Sequence, residues 1–187
     1  MKRVDVVVAK VLKFNLTDNI LLIMDNYFEI FNLDINYNLD QDQLEKTYHK
    51  LQSKIHPDKQ DISQIEHSIA LNNAYKNLND DFLRACHILS LKNIDILHDE
   101  KAVTISQQTL LETLEIQEKI SQEDNFNNIE KLQNIIALDF SNSLRDSMQL
   151  YQQNQISDSA QLLIKAKYLK KCLEDLKQKK SQIKNAS

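Results

Sequence analysis

The sequence contains no glycine, no tryptophan, one proline and two cysteines in 187 residues. Each scarcity removes a class of structure. Glycine supplies the positive-φ corners of tight hairpins and the close backbone approaches of phosphate loops. Without it, the glycine-rich fingerprints of nucleotide-binding folds are excluded and a many-hairpin sheet is disfavoured. A single proline leaves nearly the whole chain free to be helical, so an all-α protein is the expectation. Cys86 and Cys172 lie far apart and form no CxxC pair. That excludes a disulfide framework and a cysteine-rich zinc site, and it fits two core thiols in a reducing, cytoplasmic setting. No apolar run approaches the roughly 18 residues of a spanning helix, so no membrane association is expected. The net charge of −4 argues against nucleic acid as the main partner. Lysines do crowd the C-terminal stretch (Lys165, Lys167, Lys170, Lys171, Lys177, Lys179, Lys180 and Lys184). They read as a solvated helix face whose cations suit the helix C-terminus.

Along the chain, residues 1–23 look unlike the rest and are expected to be an upstream extension or a loosely attached arm. Their apolar patch at Val6, Val7 and Val8 is interrupted by charges and is not followed by a small-residue cleavage site. Met24 opens the first clean helical pattern, a short apolar helix over residues 25–31. Asp40 is a good N-cap for a helix over residues 41–55. On it Leu44, Tyr48, Leu51 and Ile55 make an apolar face, and Lys46, Lys50 and Lys54 make a cationic stripe on another. The pattern stops at His56-Pro57-Asp58, because the residue before proline is pushed out of the helical region. A second amphipathic helix is expected over residues 62–79, with Ile65, Ile69, Asn72, Tyr75 and Leu78 as its stripe, and a shorter one over residues 81–91. The polar stretch 92–104 is the expected linker, separating a first domain at 24–91 from a second at 105–187. Three helical patterns follow it: one from Ser106 or Thr104 to Ser121, then about 126–154 and 158–183. The second steps through Ile129, Leu132, Ile136, Phe140, Leu144, Met148 and Tyr151; the third through Leu162, Ala166, Leu169, Cys172 or Leu173, and Leu176. Short polar links join them, as in an antiparallel three-helix bundle.

His56-Pro57-Asp58 is the sharpest signal, and its position adds most of the weight. It follows a lysine-striped helix, precedes Lys59, and comes after Tyr48-His49-Lys50-Leu51 and before Asn73-Ala74-Tyr75-Lys76-Asn77-Leu78. Together these resemble the J-domain of DnaJ-type co-chaperones. The opening Met24-Asp25-Asn26-Tyr27-Phe28-Glu29-Ile30-Phe31 and the segment Arg84-Ala85-Cys86-His87-Ile88-Leu89-Ser90-Leu91 resemble the corresponding stretches of the HscB family. These are the co-chaperones of iron–sulfur cluster assembly, and they also carry a C-terminal three-helix bundle. Three departures stand out. Asn32 replaces a frequent glycine, a change that the left-handed conformation tolerates. His49 replaces a cation, and the N-terminal CxxC module of mitochondrial relatives is missing, which favours a bacterial-type cytoplasmic protein.

The resemblance implies that Lys46, Tyr48, His49, Lys50, Lys54 and Lys59, with the His56-Pro57-Asp58 loop, dock on an HscA/DnaK-type ATPase chaperone and stimulate it. It also implies an IscU-type scaffold protein as client. Here the helical wheel contributes independently: Ile116 and Ile120 lie on one side of the helix, Leu110, Leu111 and Leu114 on another, so one of the two apolar stripes is surplus. Glu115 and Glu118 rim the leucines, and Tyr168 stands off the stripe of its own helix. In the family the corresponding positions bind the scaffold, so Leu110, Leu111, Leu114, Glu115, Glu118 and Tyr168 carry over; Gln122 stands where the family places a further glutamate. No cofactor, metal or catalytic residue is expected. A general J-domain protein with a different client is the alternative. An enzyme using His56 and Asp58 as an acid–base pair lacks an anion hole, an activated nucleophile and a metal constellation to support it.

Overall fold

The computed structural model describes residues 26–55, 62–98 and 103–186. The sequence expectations for residues 1–23 and Met24, and for His56, Pro57, Asp58 and Lys59, lie outside these residues. The described residues form helices and connecting turns with no strand, as the composition requires. The chain divides into two compact units between Leu91 and Lys92.

The first unit holds α1 (Tyr27–Ile30), α2 (Gln41–Gln52), α3 (Ile62–Asn79) and α4 (Asp81–Ser90). Asn26, Asp40 and Asp80 cap α1, α2 and α4, each side chain accepting a backbone N–H of the first turn. Helix α2 stops at Gln52, short of the expected residue 55. Lys54 and Ile55 instead donate to the carbonyls three residues back, so the chain tightens before it reaches Pro57. Leu44 is fully buried, Tyr48, Leu51 and Ile55 are half-buried, and Lys46, Lys50 and Lys54 are exposed.

Helix α3 corrects the expected stripe. Ile65 and Ile69 are 56% and 55% exposed, and the buried side is Leu71, Ala74 and Leu78. Apolar residues lie on more than one side of α3, and it packs against α1, α2 and α4, so its neighbours select the buried face. Helix α4 is the most deeply buried helix of the unit: Phe82, Ala85, Cys86, Ile88 and Leu89 are buried together with Arg84 and His87.

The second unit holds α5 (Gln107–Gln122), α6 (Phe126–Gln152) and α7 (Ile156–Ala186). The partners across the helices fix their directions. Ser147 of α6 meets Ser159 of α7, and Glu130 meets Lys180, so α6 and α7 are antiparallel. Thr104 meets Gln161, Glu112 meets Lys165 and Ile120 meets Lys179, so α5 and α7 are parallel. Consecutive helices therefore alternate in direction. One core gathers Ile120, Ile129, Ile136, Leu169, Cys172 and Leu176, with Ile116, Leu132 and Phe140 packed against it. On α7 the buried leucine is Leu163 rather than Leu162, which is only half-buried. Adjacent residues sit about 100° apart on a helix, so a run of two leucines leaves the choice to the partner helices. Between Leu91 and α5, Ile96 is buried and its carbonyl accepts from Lys167 Nζ at 2.7 Å, which anchors part of the expected linker to α7.

Three described residues have positive φ, and all are asparagines: Asn32, Asn93 and Asn154. Asn32 and Asn154 follow the ends of α1 and α6. At each, the asparagine and the residue after it bond back to the last helical turn: Asn32 to Glu29 and Leu33 to Phe28, Asn154 to Tyr151 and Gln155 to Leu150. This is the double-bonded helix stop that glycine usually provides. A chain without glycine uses the residue that best tolerates the left-handed region.

Candidate functional site

The cationic face of the first unit is built on α2. Asp40 starts the helix, the apolar side seats on α3, and Lys46, Lys50 and Lys54 are left in solvent along the opposite side. Asp40, Gln43, Lys46, Thr47 and Lys50 line a shallow cleft there. Tyr48 is held from three directions: its hydroxyl donates to Asn72 Oδ1 at 2.8 Å, Gln52 Nε2 donates to that hydroxyl at 3.2 Å, and its ring stacks on Tyr75 at 4.1 Å. Burial is the main cause raising the Tyr75 hydroxyl pKa, with the Glu45 carboxylate adding to it. His49 is exposed and sits 3.7 Å from Glu45 on the preceding turn. The arrangement presents three exposed cations on one side of α2, while Tyr48 on the other side fixes the helix to α3. It can steer and orient an acidic surface but offers no group placed for covalent chemistry.

Two polar side chains that sequence patterning did not single out hold this unit in shape. Arg84, 4% exposed, donates from Nε to the Tyr37 carbonyl at 2.7 Å, and also to the Leu78 carbonyl and the Asp81 carboxylate. It therefore ties the loop before α2 to the α3–α4 junction. His87, 7% exposed, accepts the Tyr27 backbone N–H on Nε2 at 3.0 Å, and its ring stacks on Tyr27 at 4.2 Å. That acceptor role requires the neutral ring with its proton on Nδ1, next to Ser90 Oγ. Burial pushes the His87 pKa down to about 4. Chemistry-bearing residues inside a helix leave no pattern in sequence when their partners are backbone groups far along the chain.

The second face is on α5. Of the two apolar stripes, the core takes Ile120 and Ile116, while Leu110, Leu111 and Leu114 remain 42%, 55% and 52% exposed. Glu115 and Glu118 are exposed beside them, and Glu118 accepts a hydrogen bond from Gln122 Nε2 at 3.0 Å. Leu110, Leu114, Gln117 and Ser121 follow one another along a single side of α5. Gln117 and Ser121 line a cavity of about 290 Å³ with Asp175, Gln178 and Gln182 of α7. Tyr168, 36% exposed, continues the Asp175–Gln182 side of α7 two turns upstream, alongside the stretch of α5 from Leu110 to Leu114 in the parallel register. The α5–α7 groove is thus apolar toward its start and polar toward its end.

The C-terminal lysines are largely engaged within their own unit. Lys165 lies near Glu112 and Asp139, Lys167 donates to the Ile96 carbonyl, and Lys171 pairs with Asp175. Lys179 donates to the Ile120 and Ser121 carbonyls at the end of α5, and Lys180 pairs with Glu130 over the Phe126 ring. Cations consumed this way do not form a phosphate-tracking stripe. Among the described residues no group of histidine, cysteine and carboxylate side chains is placed to hold a metal, and no helix is long and apolar enough to cross a membrane.

Residues 26–87 match the DnaJ domain. Over 105 residues the chain is 37% identical to the "Co-chaperone protein HscB homolog" of Shewanella loihica, covering 51% of this chain and 61% of that relative. It is 24% identical over 163 residues to the human "Iron-sulfur cluster co-chaperone protein HscB", covering 83% and 68% of the two chains. The crystal structure of human co-chaperone protein HscB superposes with a TM-score of 0.75 at 22% identity, over 83% of this chain and 82% of that one, a likeness of fold. The alignments to the first two curated relatives span 61% and 49% of those proteins' lengths. With a DnaJ-domain match over residues 26–87, a helical bundle as the second unit, and HscB co-chaperones among the proteins it resembles in sequence and in fold, the chain is similar to HscB proteins along most of its described length.

Proposed function

We propose that this protein binds an IscU-type iron–sulfur scaffold through α5 and α7. It brings that scaffold to an HscA/DnaK-type chaperone and stimulates the chaperone's ATPase, assisting cluster assembly and transfer. The observation that carries the client half is the row of three leucines left more than 40% exposed on α5, rimmed by Glu115 and Glu118 and level with Tyr168. A monomer gains nothing by leaving such residues in water, whereas an apolar patch with an acidic rim fits the centre and edge of a protein interface. The chaperone half rests on the J-domain match and on the exposure of Lys46, Lys50 and Lys54.

In this reading the lysine stripe, with His49 and Lys59, accelerates encounter with an acidic surface, and Tyr48 keeps the docked helix fixed to α3. Pro57 would hold His56 and Asp58 at a rigid corner, where Asp58 accepts from an arginine of the ATPase. The co-chaperone performs no chemistry itself. It binds the hydrolysis-competent conformation of its partner more tightly and so raises that population. The test is steady-state ATP hydrolysis by an HscA/DnaK-type chaperone, measured with and without an IscU-type scaffold. Wild type should stimulate in both conditions, His56→Gln in neither. Leu111→Ala with Leu114→Ala should keep the scaffold-independent part and lose the scaffold-dependent increment. Equal stimulation by wild type and His56→Gln would defeat the chaperone half, and an undiminished increment in the leucine variant the client half.

A further inference from the structure

We propose that Lys165 is a positioning residue for the client-binding face, a buttress that fixes α5 against α6 and α7 without touching the client. The inference rests on the client role proposed for Leu110, Leu111 and Leu114. The Lys165 ammonium, on α7, lies 3.1 Å from Asp139 Oδ2 on α6 and 3.6 Å from Glu112 Oε2 on α5. Gln108 Nε2 donates to the other Glu112 oxygen at 2.9 Å, so the α5 carboxylate is held on both sides. One cation thus joins all three helices of the unit.

Its level on the bundle gives it a functional consequence. Glu112 falls between Leu111 and Leu114 in sequence, and Lys165 precedes Tyr168 by three residues, less than one turn. The clamp sits just where the leucines of α5 and the tyrosine of α7 must share a surface. The apolar core seats α5 mainly further along, through Ile116 and Ile120. Over its first two turns the one buried α5 residue is Thr113, whose hydroxyl donates to the Thr109 carbonyl of its own helix. Apolar packing therefore holds the far half of α5, and charge holds the half that carries the leucines. Without the lysine, Glu112 and Asp139 would face each other as like charges around its empty place, and α5 would swing outward. Arginine keeps the charge and can reach both carboxylates.

The experiment measures affinity of the full chain for a purified IscU-type scaffold by calorimetry, alongside thermal unfolding and scaffold-independent chaperone stimulation. Lys165→Met should weaken scaffold binding about tenfold, within the range by which residues away from a ligand modulate its affinity. Lys165→Arg should stay within about twofold of wild type. Asp139→Asn, which loosens one arm and leaves no like-charge pair, should lose about threefold and serves as the probe if Lys165→Met does not fold. Scaffold-independent ATPase stimulation should be unchanged in all three, a result that general destabilisation would not give. Wild-type affinity in Lys165→Met, with binding lost in Leu111→Ala/Leu114→Ala, would overturn the buttress and leave the client face standing. Wild-type affinity in the leucine variant too would overturn the client face itself.

Discussion

Helix α4 buries seven of its ten residues, two of them Arg84 and His87; α5 buries two of sixteen and keeps three leucines in water. Both are amphipathic helices of ordinary composition, yet their polar and apolar residues are used in opposite ways. In α4 the polar groups turn inward, where they satisfy backbone atoms of the Tyr37 loop, the end of α3 and the start of α1. In α5 three of the five apolar side chains turn outward, and only Ile116 and Ile120 face the core. The first pattern suits a helix that must hold a small unit together, because a buried donor with several acceptors fixes loops that have little apolar surface to bury. The second suits a helix whose remaining hydrophobic surface is reserved for another protein.

The largest effect is expected at Arg84, which holds three elements of the first unit together. Arg84→Met keeps much of the volume but leaves the Tyr37 and Leu78 carbonyls without their donor, and should destabilise the first unit by about 3 kcal/mol. Urea unfolding followed by tyrosine fluorescence should show this transition moving to lower denaturant, with scaffold affinity of the still-folded second unit retained. A midpoint equal to wild type would show that Arg84 is dispensable to the unit.

A smaller effect is expected at His87, through pH. Its folded pKa of about 4 lies below the ordinary 6.5, because burial disfavours the charged ring. The unfolded chain therefore takes up a proton below pH 6.5 that the folded chain refuses until about pH 4. The stabilisation is complete above pH 6.5 and declines as pH falls toward 4. Between pH 7 and pH 5 the loss should be about 1.5 kcal/mol, allowing for partial solvent screening. His87→Phe should flatten that part of the pH dependence; an unchanged slope in the variant would assign it to other groups.

The smallest stability effect is expected at the leucines of α5. Leu111→Ala with Leu114→Ala removes side chains that are more than half exposed, and should shift unfolding by only about 0.5 kcal/mol. A loss of several kcal/mol in the isolated protein would mean that these residues are part of the core, and the contrast with α4 would vanish.

How much was readable in advance differs along the chain. The start of α2 was legible at Asp40, which stands before an apolar pattern, because capping is a local event. The surplus stripe of α5 was legible because two apolar sides on one surface helix cannot both face a single neighbour. The isoleucines of α3 were misread for a related reason: its apolar residues surround the helix, and only the positions of α1, α2 and α4 decide that Leu71, Ala74 and Leu78 go inside. Nothing local marked Lys165 as a link between Glu112 and Asp139, residues 53 and 26 positions away.

The sequence by itself determined that the protein is helical, that Asn32 can serve where a glycine is frequent, and that a cationic helix precedes His56-Pro57-Asp58, since propensity, capping and periodicity act over a few residues. Tertiary structure alone decided which face of α3 is buried, which leucines of α5 stay in water, and which lysines are free to meet a partner. Those outcomes depend on helix packing and on ion pairs between residues distant in sequence, and the energy of such contacts exists only once the helices have met.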